Sequence, residues 1–173
     1  MRRILMCACL SVFIIACKQQ SDYRKITQDP MLFCKTVYQL NSVVMNNNFS
    51  PIVASRNYLY ANVAAYECIA GGYPDRYNSL AGQVKGLLSV PKPDPGKPVD
   101  FEFAAFLAFC KLGEAVTFPA GSMKDYVDSV VALVKDHGMP DDLYDNTLAF
   151  ADTVSSVIMD WSKQDMYLQT RTF

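Results

Sequence analysis

The sequence predicts an all-α fold, a helical bundle of five or six helices. Apolar residues recur at three- and four-residue spacings in successive stretches. Those stretches are bracketed by helix start and stop residues. No segment shows the two-residue alternation, bounded by hairpin turns, that marks strands. No internal repeat is evident, and 173 residues suit one domain with a real core.

The chain opens on a leader. Arg2 and Arg3 precede an apolar run from Ile4 to Ala16, and polarity returns abruptly at Lys18, Gln19 and Gln20. That is the layout of a secretory signal. At 1.5 Å per residue the run reaches roughly 20 Å, short of the about 30 Å hydrocarbon core, so it does not span as a helix. Ile14, Ile15, Ala16 and Cys17 resemble the bacterial lipobox, in which the cysteine accepts a diacylglyceryl group and becomes the mature N-terminus. The expected organisation is a lipoprotein signal peptide over 1–16, a lipid-bearing tether over 17–28 and a helical domain over 29–173. The alternative is a plain signal peptide with an incidental cysteine. Acyl chains, at about 0.8 kcal/mol per buried CH₂, would hold the protein on a membrane. The expected location is the bacterial cell envelope, on the outer membrane or facing the periplasm.

Asp29 and Pro30 form a cap and a proline at the first helical position, and Phe33, Val37, Leu40 and Val44 then make one stripe. The run Asn46, Asn47, Asn48 stops that helix, because asparagine competes for backbone hydrogen bonds. Ser50 and Pro51 start the next, in which alanines at 54, 61, 64, 65 and 70 alternate with Tyr58, Tyr60 and Tyr66 until Gly71 and Gly72. Residues 78–88 are expected to form a short helix. Pro91, Pro93, Pro95 and Pro98 then impose an extended surface loop over 91–98.

Asp100 caps a helix from Phe101 to Val116 that has few charges and is therefore expected at the centre. Ser122 opens another, with Tyr126, Val127, Val130, Leu133 and Val134 inward, closed by His137 and Gly138. The last and longest runs from about Asp141 to Gln164, with acids at its start where the helix dipole favours them.

Several function classes are disfavoured. Removing the leader takes Lys plus Arg from 16 to 14 and leaves Asp plus Glu at 17, a formal net charge of −3. The basic residues are scattered singly, so no nucleic-acid partner is expected. Once Cys7 and Cys9 leave with the leader and Cys17 carries lipid, Cys34, Cys68 and Cys110 remain. They read as small buried hydrophobes, with one disulfide plus a free thiol as the alternative. No C-x-x-C pair exists and His137 is the single histidine, so zinc is not expected, and a capping role explains His137. Asp125, Asp128, Asp141, Asp142 and Asp145 read as a solvated face. Nucleophile elbow, phosphate loop and H-E-x-x-H signatures are missing, so no catalytic residue and no metal ligand is assigned.

Residues 49–69, FSPIVASRNYLYANVAAYECI, with Ser50-Pro51, Ser55-Arg56, Tyr58 and Tyr66-Glu67, carry a resemblance. They resemble the N-terminal helical region of bacterial proteins similar to vanadium-dependent haloperoxidases, in the type 2 phosphatidic acid phosphatase (PAP2) superfamily. NSLAGQVKG (78–86) and WSKQDMYLQTRT (161–172) agree, and the likeness spans most of 29–173. It implies half of a haloperoxidase-like helical architecture, ending at Phe173 before the catalytic motifs. A truncated gene, a split gene or an artificial boundary would each produce that.

In such proteins a Lys with Arg-Pro, a Pro-Ser-Gly-His and a Ser-Arg followed six residues later by His hold vanadate or phosphate. This chain has no Arg-Pro and no Gly-His, and Asn62 stands where the Ser55-Arg56 spacing requires histidine. By resemblance, vanadate or phosphate belongs only to a C-terminal catalytic half, on this protein or on a separate chain, which is the expected partner beside the membrane. The expected function is thus an N-terminal scaffold inactive by itself. The alternative is a self-sufficient lipid-anchored binding protein on the same helices.

Overall fold

The computed structural model describes residues 22–171. The leader, Cys17 and the first part of the expected tether lie outside them. Among the described residues there is no strand, and the elements in chain order are α1 (Arg24–Thr27), α2 (Pro30–Asn46), α3 (Pro51–Gly72), α4 (Phe101–Ala115), α5 (Lys124–Asp136), α6 (Asp141–Gln164) and α7 (Tyr167–Thr170). The five long helices are those read from the sequence.

Helix α4 is the axis. Phe103 through Cys110 is buried without a break, as its low charge content demands. Its most extensive interface is with α3, then with α6 and α2. Small residues make the closest approach possible: Ala61, Ala64 and Ala65 on α3 and Ala104, Ala105 and Ala108 on α4 are all buried. Glycines set two further approaches. A Cβ at Gly72 would lie 2.2 Å from the Phe101 ring, and one at Gly113 would lie 2.9 Å from a methyl of Leu40. Gly72 therefore sits inside α3 rather than beyond its end, and α2 seats Leu40 on α4 where Gly113 leaves room.

The caps behave as their chemistry dictates. Asp29 Oδ1 accepts from Met31 N at 2.9 Å, and Asp100 Oδ1 accepts from Phe103 N at 2.9 Å. Asp100 is buried and also accepts from Thr27 Oγ1 at 3.1 Å. Burial raises its pKa against the pull of these hydrogen bonds. In the α2–α3 turn Asn48 takes φ 53°, a conformation asparagine tolerates. Beside it, Asn47 exchanges two hydrogen bonds with the backbone of Phe118, at 2.6 and 3.0 Å.

Four expectations need correction. Residues 78–88 form turns, not a helix, because Glu67 and Trp161 draw their backbone groups away from any helical ladder. Residues 22–28 are docked rather than trailing as a tether: the amides of Asp22 and Tyr23 both donate to His137 O at 3.1 Å, and Tyr23 and Thr27 are buried. Cys34 is exposed, whereas Cys68 and Cys110 are buried, and all three are free. Successive helical residues point about 100° apart, so Phe33 turning inward sends Cys34 outward. Ser122, expected to open α5, instead bonds Thr117 at 3.1 Å, two residues before Lys124 begins the helix.

Candidate functional site

Of the three segments that carry the resemblance, 49–69 and 78–86 are near in the chain and 161–172 is remote, and contacts join them in space. Trp161, on α6, donates from Nε1 to Lys85 O at 3.0 Å. Its ring lies 3.5 Å from where a Cβ at Gly86 would stand, and Gly86 holds φ 86°, a backbone conformation and a clearance that suit glycine. Tyr66 donates to Asn78 O at 2.8 Å. Glu67 is 2% exposed and accepts from Ser79 Oγ and Leu80 N, both at 2.7 Å. Those bonds satisfy a carboxylate that burial alone would penalise.

The densest cluster lies at the α6–α7 corner. Arg56 donates from Nε to Tyr60 Oη at 3.1 Å, from Nη1 to Thr170 Oγ1 at 2.6 Å, and from Nη2 to Asp165 O at 2.6 Å and Asp165 Oδ2 at 2.9 Å. Its guanidinium also stands 5.1 Å from the centre of the Tyr167 ring. Tyr60 donates to Asp165 Oδ2 at 2.6 Å. Burial and then that bond push its pKa up to about 12, against the opposing effect of Arg56. The Tyr167 hydroxyl reaches Asn57 Oδ1 and, at 2.9 Å, Val116 O. Met166, in the left-handed region at φ 56°, makes the turn that aims Tyr167 inward.

Each expected signature residue has a place. Ser50 is the cap position of α3 in extended conformation, without a side-chain bond, and Pro51 begins the helix. Ser55 is exposed and bonds back to Ile52 O at 2.8 Å. Tyr58 crosses to α2 by donating to Asn41 Oδ1 at 2.7 Å. Arg56, Tyr66 and Glu67 join remote segments. Sequence reasoning missed Asn57, Tyr60, Asp165, Tyr167 and Thr170 as their partners. Arg56 and Tyr60 stand four apart on α3, a spacing the sequence does show, but the pairings to Asp165, Thr170 and Tyr167 span more than a hundred residues and leave no local spacing to read.

These geometries bear on oxyanion chemistry. An arginine has five N–H donors, and Arg56 already spends four on its own chain. His137 is the C-cap of α5, with Nδ1 2.8 Å from Leu133 O. No group of three or more His, Cys, Asp or Glu among the described residues could hold a metal ion. The surface also has an apolar crevice of about 380 Å³, lined by Leu32, Phe33, Tyr66, Ile69 and Phe106 among others, where α2 stands off from α3.

No known family profile and no curated protein matches the chain. A solved structure does: the first bacterial vanadium-dependent iodoperoxidase, at 35% identity with a TM-score of 0.75. The match covers 82% of this chain and 33% of that one, so the chain spans about a third of the iodoperoxidase. The fold is haloperoxidase-like. The corner around Arg56 belongs to a partial scaffold of that architecture.

Proposed function

We propose that this chain is the N-terminal helical scaffold of a haloperoxidase-like lipoprotein and that the oxyanion chemistry is done by groups it does not itself carry. One observation carries the reading: 35% identity and a TM-score of 0.75 extend over most of this chain but only a third of a vanadium-dependent iodoperoxidase. The engagement of Arg56 and the capping position of His137 support it, since vanadate or phosphate needs converging cationic and imidazole donors. On this reading the scaffold's task is to hold helix ends in register for a catalytic portion of the PAP2 kind, in the same protein or on another chain.

The test is vanadate binding by the isolated protein, read by ⁵¹V NMR, together with iodide oxidation and phosphatase turnover. No bound signal and no turnover are expected. Stoichiometric vanadate binding by this chain would overturn the proposal.

Membrane attachment through Cys17 belongs to the same proposal and rests on the lipobox likeness. Incorporation of labelled fatty acid should be abolished by Cys17→Ala. Labelling that survives the substitution would remove the anchor from the reading.

A further inference from the structure

We propose that the end of the bundle carrying α1 is the membrane-facing end, held close against the lipid instead of swinging on a long tether. The inference rests on acylation of Cys17 in the reading above. What it adds comes from the place where the chain first takes hold of its own body. The amides of Asp22 and Tyr23 both donate to His137 O, at the end of α5, at 3.1 Å. Tyr23 is buried, and Thr27 Oγ1 donates to the buried Asp100 Oδ2 at 3.1 Å. Five residue steps separate Cys17 from Asp22, and at no more than about 3.6 Å per residue they reach roughly 18 Å. Were 22–28 undocked, the twelve steps to Asp29 would reach roughly 43 Å. Docking thus shortens the reach by more than half.

The packing shows which end this is. Tyr23 and Arg24 share a hollow with Tyr73 at the close of α3, Phe101 at the start of α4 and Pro140 at the turn into α6. The α6–α7 corner is the opposite end. From Asp141, α6 runs 24 residues, roughly 36 Å at 1.5 Å per residue, before Asp165 meets Arg56. That height is about twice the reach of the docked chain, so the acyl group cannot sit in a bilayer that the far end faces. The helix ends around Arg56, which the scaffold reading offers to a catalytic portion, therefore point away from the lipid.

Charge does not do the holding. Lys25 stands 3.9 Å from Asp22, and Lys97 shares the hollow with Asp94 and Asp142. Signs are mixed at this end, which does not make the basic cluster that recruits anionic lipid. The acyl chains supply the affinity, and the docked segment supplies the orientation.

The test uses acylated protein in vesicles of neutral phosphatidylcholine in which some headgroups carry a spin label. Quenching is read from a fluorophore on single cysteines in a Cys34→Ala background. Two helices that both pack on α4 each give a near and a far site, all exposed: Met31→Cys and Asn46→Cys on α2, and Asp142→Cys and Lys163→Cys on α6. On each helix, loss of fluorescence is expected at the near site and little at the far one. A flexible Gly-Ser insert after Ser21, which leaves every described residue in place, should abolish that difference.

Equal quenching along either helix, the sign of a body lying on that flank, would overturn the proposal. So would a near-to-far difference that survives the insert. Either result in acylated protein sinks this inference alone and leaves the scaffold and anchor readings standing. Absence of an acyl group at Cys17 in the fatty-acid experiment would sink it together with the anchor.

Discussion

The α2–α3 side and the α5–α6 side of this bundle are built from helices of similar length against the same central helix, yet they present opposite chemistries outward. On α5 and α6, Lys124 pairs with Asp128, Lys135 with Asp141 at 3.6 Å and Lys163 with Asp160 at 2.8 Å, all largely exposed. On α2 and α3 the outward positions, Lys35 apart, are uncharged and include Met, Tyr, Ile, Leu, Ser, Cys and Asn, and Arg56 of α3 pairs with Asp165 at the end of α6 in a corner that leaves the arginine side chain only 20% exposed. An inward apolar stripe thus says that a helix packs on its core. The outward residues say whether water is its other neighbour.

The two sides should respond very differently to substitution. The largest effect is expected where α2 is held by α4: Leu40→Ala empties a site at 0% exposure beside Gly113 and should cost about 3–4 kcal/mol in urea unfolding. A cost under about 1 kcal/mol would mean that α4 does not anchor α2. Next, Arg56→Ala removes four donors from the α6–α7 corner and should cost about 2–3 kcal/mol, with faster hydrogen exchange in α7. If exchange in α7 is unchanged, the corner is not what holds it.

Alkaline titration sharpens the contrast further. Tyr60 has its folded pKa raised to about 12 from an ordinary 10 by burial and its bond to Asp165. Tyr73 is likewise raised to about 12, first by its bond to Glu102 and then by burial. Unfolded tyrosine releases its proton near pH 10 while the folded side chains keep theirs. Stability is therefore whole below pH 10 and falls from about 10 to 12, by up to about 1.4 kcal/mol per pH unit for each group. Tyr60→Phe should make the decline shallower, and an equal slope in the variant would contradict the assigned cause. The smallest effect belongs to α5, where Lys124→Ala should change stability by no more than about 0.5 kcal/mol, because both partners are solvated.

Helix positions were legible because each uses a local signal: Asp29-Pro30, Ser50-Pro51 and Asp100 at starts, and His137-Gly138 at an end. Errors fell where a remote partner overrides a local preference. The 78–88 segment has helix-compatible residues, but Glu67 and Trp161 bind its backbone in turns. Cys34 has an apolar neighbour in sequence, yet the helix rotates it outward. The importance of Arg56 was legible as part of a signature. Its partners Asp165, Tyr167 and Thr170 were not, since nothing within a helical turn of Arg56 points to them.

The sequence by itself determined the helices, most of their caps and, Leu133 apart, which stripe of each faces inward, because those follow from backbone geometry and the spacing of apolar side chains within a few residues; Leu133, expected inward on α5, is 44% exposed. Only the tertiary structure decided that Arg56 ties the α6–α7 corner together and that a crevice opens between α2 and α3. A guanidinium's availability, like the continuity of a surface, depends on groups a hundred residues away that folding brings within hydrogen-bond reach.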